Sequence, residues 1–266
     1  IGTEQSEKLL ECLLVSKRLG AVSEGKQAWL TSERNGHIYG SVNTNGTVSG
    51  RCSHRSPNMG QIPSTNSPYG AECRELFTAT EGSVLVGADA SGLELRCLAH
   101  YLARYDNGAY AKIVTEGDVH TANQEAAGLS KRADAKTFIY AWLYGAGDAK
   151  IGSIVNGSAT DGSRLKENFM QKNPAVRYLT DAVRRKVKQY GQLRGLDGRK
   201  LPCRSPHSAL NLLLQSAGAV IMKQALVEFV NTATKPYTMH ANVHDEVQFS
   251  CNADDADELG QQFVDA

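Results

Sequence analysis

An α+β fold is predicted, with a helical subdomain set between the strands of a sheet. Segments suited to strands lie towards both ends, at 36–50 (GHIYGSVNTNGTVSG), 83–88 and 243–250 (VHDEVQFS). Between about residue 118 and 232 the apolar residues recur at helical spacing instead. Strands at the ends and helices between them are the pattern of an α+β chain carrying a helical insert.

Taken in order, residues 5–20 read as a helix, with Leu9, Leu10, Leu13 and Leu14 on one face. Residues 36–50 read as one β-hairpin, with NTNG supplying a glycine turn. Pro57, Pro63 and Pro68 punctuate a Ser- and Asn-rich loop over 51–70. VLVGA at 84–88 is an apolar strand that ends on Asp89, and a helix is expected from 91 to 105. Breaks in the helical region fall at GLS (128), GAG (145), NGSATDG (156), NP (173) and RGLDG (194). A long periodic helix covers 208–230, and VHDEVQFS then reads as two short strands with a polar tip. No internal repeat appears.

The chain has 266 residues and a formal charge of +1, enough for one large domain or two modest ones. No apolar run is expected to reach the length of a membrane span, no secretion signal is read, and no membrane partner is expected. The six cysteines are scattered singly without a CxxC, which argues against a zinc site and for reduced thiols. Opening on Ile1 and closing within the acidic DDADELGQQFVDA, the chain is read as an excerpt of a longer polypeptide. Charge is uneven. Residues 164–204 hold twelve Lys or Arg against three acids, while 244–266 hold seven acids and no Lys or Arg. A basic run of that kind is either a solvated face or an attractor of polyanions, and RGLDGRKLPCRSPH could present several cations to phosphates.

Asp89 admits two readings. SGLE at 91–94 fits a capping box, with Ser91 as N-cap and Glu94 reaching back, which leaves Asp89 a turn residue. Alternatively Asp89 is a metal ligand at the end of a rigid strand. HDE at 244–246 is equally a polar hairpin tip or a second set of ligands. Two strand-end carboxylates suit a two-magnesium site, because hard cations take oxygen ligands and keep water and substrate phosphates in the remaining shell. In KRADAKTFIYAWLYGAG (131–147), Arg132, Lys136, Tyr140 and Tyr144 recur every fourth residue and make one winding stripe. Ala135, Ile139, Trp142 and Leu143 are left for the other side, and Gly145 and Gly147 for the helix end. Cations at a helix start oppose the dipole, an arrangement suited to an anion such as a triphosphate. An ordinary amphipathic helix with a basic start is the competing reading.

These segments together resemble motifs A, B and C of family A DNA polymerases, in order: D-x-S-x-x-E-L-R at 89–96, R-x-x-x-K-x-x-x-Y-x-x-x-Y-G at 132–145 and V-H-D-E at 243–246. GRCSHRSPNMGQIP at 50–63, GDVHTANQ at 117–124, GLDGRKLPCRSPH at 195–207 and NLLLQSAGA at 211–219 resemble further segments of the family. ASGLELRCLAHYLARYDNG and KTFIYAWLYGAGDAKIG are similar to the replicative enzymes of podovirus-type phages. One departure is Met59-Gly60-Gln61, where the family usually has Leu-Gln-Asn.

The resemblance implies a right-hand polymerase palm, an antiparallel sheet with packed helices, carrying an inserted fingers subdomain. It implies a thumb end at 1–23, palm at 24–101 and 214–266, and fingers at 102–213, with most of the thumb and part of the palm outside the chain. The implied activity is template-directed addition of dNMP to a primer 3′-hydroxyl with release of pyrophosphate. Two Mg²⁺ ions would be held by Asp89, Asp245 and the carbonyl of Ala90, with Glu246 in support. Arg132, Lys136 and His120 would bind the dNTP triphosphate, Lys136 also giving a proton to pyrophosphate. Tyr140 would pack on the deoxyribose, its hydroxyl implying tolerance of dideoxynucleotides. Tyr144 would mark the insertion site, and Glu94 would exclude a ribose 2′-hydroxyl. Arg51, Arg204, Asn211, Gln215 and His244 would contact primer-template DNA. A thioredoxin-like processivity factor would dock through the missing thumb, and the setting would be the cytoplasm of an infected bacterial host. Two rivals differ in class. A single-subunit RNA polymerase is disfavoured by Glu94, and a non-catalytic nucleic-acid-binding fragment by the joint presence of Asp89, Asp245, Lys136 and Arg132.

Overall fold

The computed structural model describes residues 3–266, which form two compact units. The first comprises residues 3–47, 52–89 and 225–266, and the second residues 48–51 and 90–224. Along the chain, α1 (Glu4–Leu19) leads through a π-helical turn to α2 (Trp29–Ser32). β1 (Glu33–Arg34) pairs with β2 (His37–Ile38), β3 (Ser41–Asn43) pairs with β4 (Ser53–Arg55), and α3 (Gly70–Glu75) precedes β5 (Ser83–Asp89). The helical region holds α4 (Leu93–Asp106), α5 (Ala109–Glu116), α6 (Val119–Ala127), α7 (Arg132–Leu143), α8 (Asp148–Ser153), α9 (Ala159–Lys172) and α10 (Pro174–Tyr190). A hairpin of β6 (Gln192–Arg194) and β7 (Lys200–Pro202) then leads to α11 (Ala209–Thr232). β8 (Tyr237–Val243), β9 (Glu246–Asn252) and α12 (Ala256–Asp265) complete the chain.

The first unit is organised by an antiparallel sheet in the order β5-β9-β8. Side chains alternate faces along a strand. Val247, Phe249 and Cys251 of β9 are buried, and opposite them stand Ala88, Val86 and Val84 of β5. Phe229 of α11 and Phe263 of α12 close over this face, with ring centroids 5.3 Å (Phe229–Phe249) and 5.2 Å (Phe229–Phe263) apart. Burial of each such phenylalanine contributes roughly 2–3 kcal/mol of transfer free energy, so this aromatic cluster fixes which face points inward. The register then dictates the rest: Asp89, Gly87, Glu246 and Gln248 must occupy the opposite face.

The second unit is all but helical. Phe169 of α9 takes Phe138 and Trp142 of α7 edge-on, at 5.6 and 5.2 Å. On α10, Val176, Leu179, Val183 and Val187 are buried, while Arg185, Lys186 and Lys188 face solvent. α11 packs closely on α4 because residue 218 is glycine; a Cβ there would meet the Leu93 side chain at 3.0 Å.

Some expectations need correction. The single hairpin over 36–50 is two hairpins. Asn35 and Gly36, both at positive φ, turn β1 into β2, and β3 pairs across a longer loop with β4, inside the stretch expected to be loop. The capping box at 91–94 does not form: Gly92, at φ 62°, precedes α4 with no side-chain cap, and the Glu94 side chain is engaged elsewhere. α5 was not anticipated. Residues 206–232 do form a stretch long and apolar enough, by length and composition only, to cross a membrane. Leu210, Leu213, Leu214, Ala217, Met222 and Phe229 in it are buried within the protein, so core packing accounts for part of its apolarity, while Ile221, Val227 and Val230 are exposed.

Candidate functional site

In the first unit, the β5–β9 ladder sets Asp89 directly opposite Glu246. β8 and β9 are joined through His244 and Asp245 alone, since Val243 pairs with Glu246. Asp89, Asp245 and Glu246 thus gather at one end of the sheet, and His244 shares the turn. His244 has φ 61°, a left-handed conformation that suits the first position of a tight hairpin but costs a non-glycine residue. Gln248, two residues along the same face, donates from Nε2 to Glu246 Oε1 and orients that carboxylate. Gly87 lies opposite Gln248, and a Cβ there would meet nothing within 4 Å, so the face beside Asp89 is open. His54 Nε2 lies 3.1 Å from the Asn242 carbonyl oxygen, tying the β4 region to β8 near the turn.

Like charges directly opposite in a ladder are destabilising. A divalent cation reverses that sign, so the Asp89–Glu246 pairing with Asp245 adjacent fits a metal. Among the described residues no three His, Cys, Asp or Glu side chains enclose a metal by themselves. The Ala90 carbonyl already accepts the Leu93 N–H at 3.2 Å and retains a second lone pair.

The second unit holds a basic cluster on α6 and α7. Ala135, Phe138, Ile139 and Leu143 bury one side of α7, which turns Arg132, Lys136, Tyr140 and Tyr144 outward as the spacing predicts. Gly145, at φ 72°, ends the helix in a Schellman motif: its N–H bonds Trp142 O, and that of Ala146 bonds Ala141 O, both at 2.9 Å. His120 of α6 sits by Tyr140, ring centroids 6.5 Å apart. Burial, then the nearby charges of Arg132 and Lys136, hold the His120 imidazole below its ordinary pKa. Its Nδ1 is buried without a hydrogen-bond partner. A residue not foreseen, Asp118, joins the cluster: it caps α6 and binds Arg132 through Nε (2.7 Å) and Nη2 (3.0 Å). Its signal was legible, an aspartate immediately before a helical VHTANQ, but its partner lies 14 residues on.

Glu94 sits in a second cluster. Arg51 Nη2 donates to its Oε1 at 2.8 Å, and the Tyr144 hydroxyl donates to the same oxygen at 3.2 Å. The Arg51 and Glu94 side chains are only 11 % and 10 % exposed. Burial, then the Glu94 charge, raises the Tyr144 pKa. Arg51 is therefore buried against Glu94 rather than displayed. Arg204 is exposed after β7, and Asn211 and Gln215, half-buried, share a face one turn apart on α11. In the β6–β7 hairpin Arg199 turns onto Asp197 at 2.7 Å, while Arg194 and Lys200 are exposed.

The family model for DNA polymerase family A matches residues 3–266. The chain belongs to DNA polymerase family A. It is 44 % identical to a DNA-directed DNA polymerase of Escherichia phage T7 and 43 % identical to that of Enterobacteria phage T3, in each case over 92 % of this chain and 39 % of the relative. The family A chain thus spans about two fifths of the length of these curated relatives. Its fold is similar to that of the POL domain of Pol1 from M. smegmatis, solved with DNA primer-template and dNTP, with a TM-score of 0.79. The two are 23 % identical, and the match covers 89 % of this chain and 46 % of that one.

Proposed function

We propose that this family A chain carries the palm and fingers of a phage-type replicative DNA polymerase that extends a primer on a DNA template from dNTPs. The observation that carries the reading is the ladder register that sets Asp89 opposite Glu246, with Asp245 in the adjoining turn. Palm is read at 24–101 and 214–266, mostly within the first unit, fingers at 102–213, within the second, and residues 1–23 as the end of a thumb. Asp89 and Asp245 would hold two Mg²⁺ ions with the Ala90 carbonyl, and Glu246, steered by Gln248, would support them. Magnesium, when bound, supplies Lewis acidity for the primer 3′-hydroxyl and the α-phosphate.

The residues of the chain do the rest. Arg132, Lys136 and His120 bind the triphosphate; Lys136 also gives the proton that pyrophosphate takes on leaving. Tyr140 packs on the sugar and Tyr144 flanks the templating position. Glu94, pinned by Arg51 and Tyr144, is read as the carboxylate that excludes a ribose 2′-hydroxyl, a reading that favours a DNA polymerase over an RNA polymerase. Arg204, Asn211, Gln215 and His244 are read as contacts to primer-template DNA, and Arg51, held against Glu94, as the group that positions that carboxylate. The polypeptide would act inside an infected bacterium, and a thioredoxin-like processivity factor is a proposed partner.

Primer extension on a short primed template, with dNTPs and Mg²⁺, tests the reading in the full-length polypeptide that carries this chain. The expected result is metal-dependent extension that rejects rNTPs. Incorporation that persists after chelation would overturn the two-metal assignment.

A further inference from the structure

We infer that Asp118 is a positioning residue for the nucleotide's phosphates, acting through Arg132. The inference rests on the reading of Arg132 as a triphosphate ligand. One carboxylate here does two jobs at once. Asp118 Oδ1 accepts the backbone N–H groups of His120 (3.0 Å) and Thr121 (3.3 Å), and Oδ2 accepts the Thr121 hydroxyl (2.9 Å). The same two oxygens accept Arg132 Nη2 (3.0 Å) and Nε (2.7 Å).

The geometry distinguishes orientation from mere capping. An N-cap needs a single acceptor oxygen, which serine, threonine or asparagine supplies equally well. A side-on pair of bonds to Nε and Nη2 requires both carboxylate oxygens and fixes the guanidinium plane. It uses one N–H on each of those nitrogens and leaves the outer edge, including both Nη1 hydrogens, for phosphate oxygens. Stability is a weak motive for the pair, because the Arg132 and Asp118 side chains are 56 % and 45 % exposed and exposed pairs contribute little. Asp118 also ties the first residue of α7 to the start of α6, two residues before His120. One carboxylate therefore sets two of the groups assigned to the triphosphate.

The test compares Asp118→Asn, Asp118→Ala, Arg132→Gln and the Asp118→Asn/Arg132→Gln double variant in the full-length polypeptide. Equilibrium binding of dATP with Mg²⁺, the KM and kcat of primer extension, and the melting temperature are read for each. Asparagine keeps the cap but turns an amide N–H₂ towards Arg132. Asp118→Asn should raise the Kd and KM for dATP about tenfold, change kcat less than about threefold, and leave the melting temperature unmoved. Asp118→Ala should lower the melting temperature as well. In the double variant the asparagine should add nothing to the loss caused by Arg132→Gln. Unchanged or tighter dATP binding by Asp118→Asn would overturn the inference, as would a full asparagine penalty in the Arg132→Gln background. If Arg132→Gln alone leaves dATP affinity intact, the phosphate-ligand reading fails and the inference falls with it.

Discussion

The acidic end of the β5-β9-β8 sheet and the basic face of α6 and α7 concentrate opposite charges by different means. At the sheet end the backbone ladder decides: Asp89 faces Glu246 because Val86 faces Phe249, and no choice of rotamer alters that register. On the helices the backbone supplies only a stripe, and side-chain pairing sets the cations, as Asp118 does for Arg132. The difference teaches what each chemistry tolerates. Metal ligation needs carbonyl and carboxylate oxygens held to a fraction of an ångström, which a ladder provides. A nucleotide that arrives and leaves is better met by groups whose partners can be exchanged.

The comparison breaks most visibly at the sheet end. On the proposed two-metal reading, Asp89→Ala and Asp245→Ala should each lower primer extension by about a thousandfold or more, because each would remove a ligand that the reading assigns to metal. Removal of Asp89 also takes one charge from a like-charge cross-strand pair, so thermal melting in metal-free buffer should show this variant close to the parent in stability. A large loss of stability with activity retained would sink the view that these carboxylates are kept for function.

Next in size is the contrast between a buried and an exposed ion pair. Glu94→Ala removes the carboxylate that Arg51 and Tyr144 share, in a site from which water is nearly excluded. Denaturant unfolding should register a loss of about 3 kcal/mol or more. Asp118→Asn, at the exposed pair, should register less than about 1 kcal/mol. Because Glu94 also carries the proposed sugar discrimination, surviving Glu94→Ala protein should incorporate rNTPs more readily. Equal stability losses at the two pairs would show that burial is not what separates them.

Those pairs also mark how far the sequence could be read. Helix α7 was legible to within a few residues, because Ala135, Ile139 and Leu143 repeat at the helical period and Gly145 stops it. The strand at 83–88 was legible as an apolar run ending on Asp89, and the β8–β9 turn as polar residues between apolar ones. What periodicity does not encode is partnership. Glu94 looked like a cap because Ser91 stands three residues before it. Arg51, 43 residues away, is what claims it. The stretch at 36–50 looked like one hairpin because NTNG is a good turn, yet Ser41–Asn43 pairs with Ser53–Arg55. A lone aspartate before a helix is an ordinary cap, and only the fold brings Arg132 to Asp118.

At alkaline pH the helical unit has its own weakness. Burial, then the Glu94 charge, pushes the Cys97 thiol up to about 11, and burial pushes the Tyr110 hydroxyl up to about 12. Both folded-state values exceed their ordinary ones, so their contribution is complete below about pH 9 and is lost as pH rises through the window to about 12. Each group accounts for on the order of 2 kcal/mol across that window. Melting temperatures taken from pH 8 to 11.5 should fall for the parent, and less steeply for Cys97→Ala compared with its own value at pH 8. Parallel curves for parent and variant would remove Cys97 from this account.

The smallest effect expected returns to the sheet end and asks whether its rigidity carries a cost. His244 holds φ 61° at the first position of the tight turn between β8 and β9, where glycine is the favoured residue. A left-handed conformation costs a side-chain-bearing residue about 1–2 kcal/mol, partly offset by the extra entropy a glycine loses on folding. His244→Gly should therefore stabilise the protein by about 0.5–1 kcal/mol, read by urea unfolding, if the turn is strained for the sake of the imidazole. The same variant should bind primer-template less tightly, since it deletes the ring assigned to DNA while leaving Asp245 in register. A variant that lost stability and kept its DNA affinity would reverse the argument, making His244 a structural residue whose contacts outweigh its backbone strain. A gain in stability joined to a loss of DNA affinity would instead mark the turn as a place where the ladder's precision is used to hold one side chain in a conformation it does not prefer.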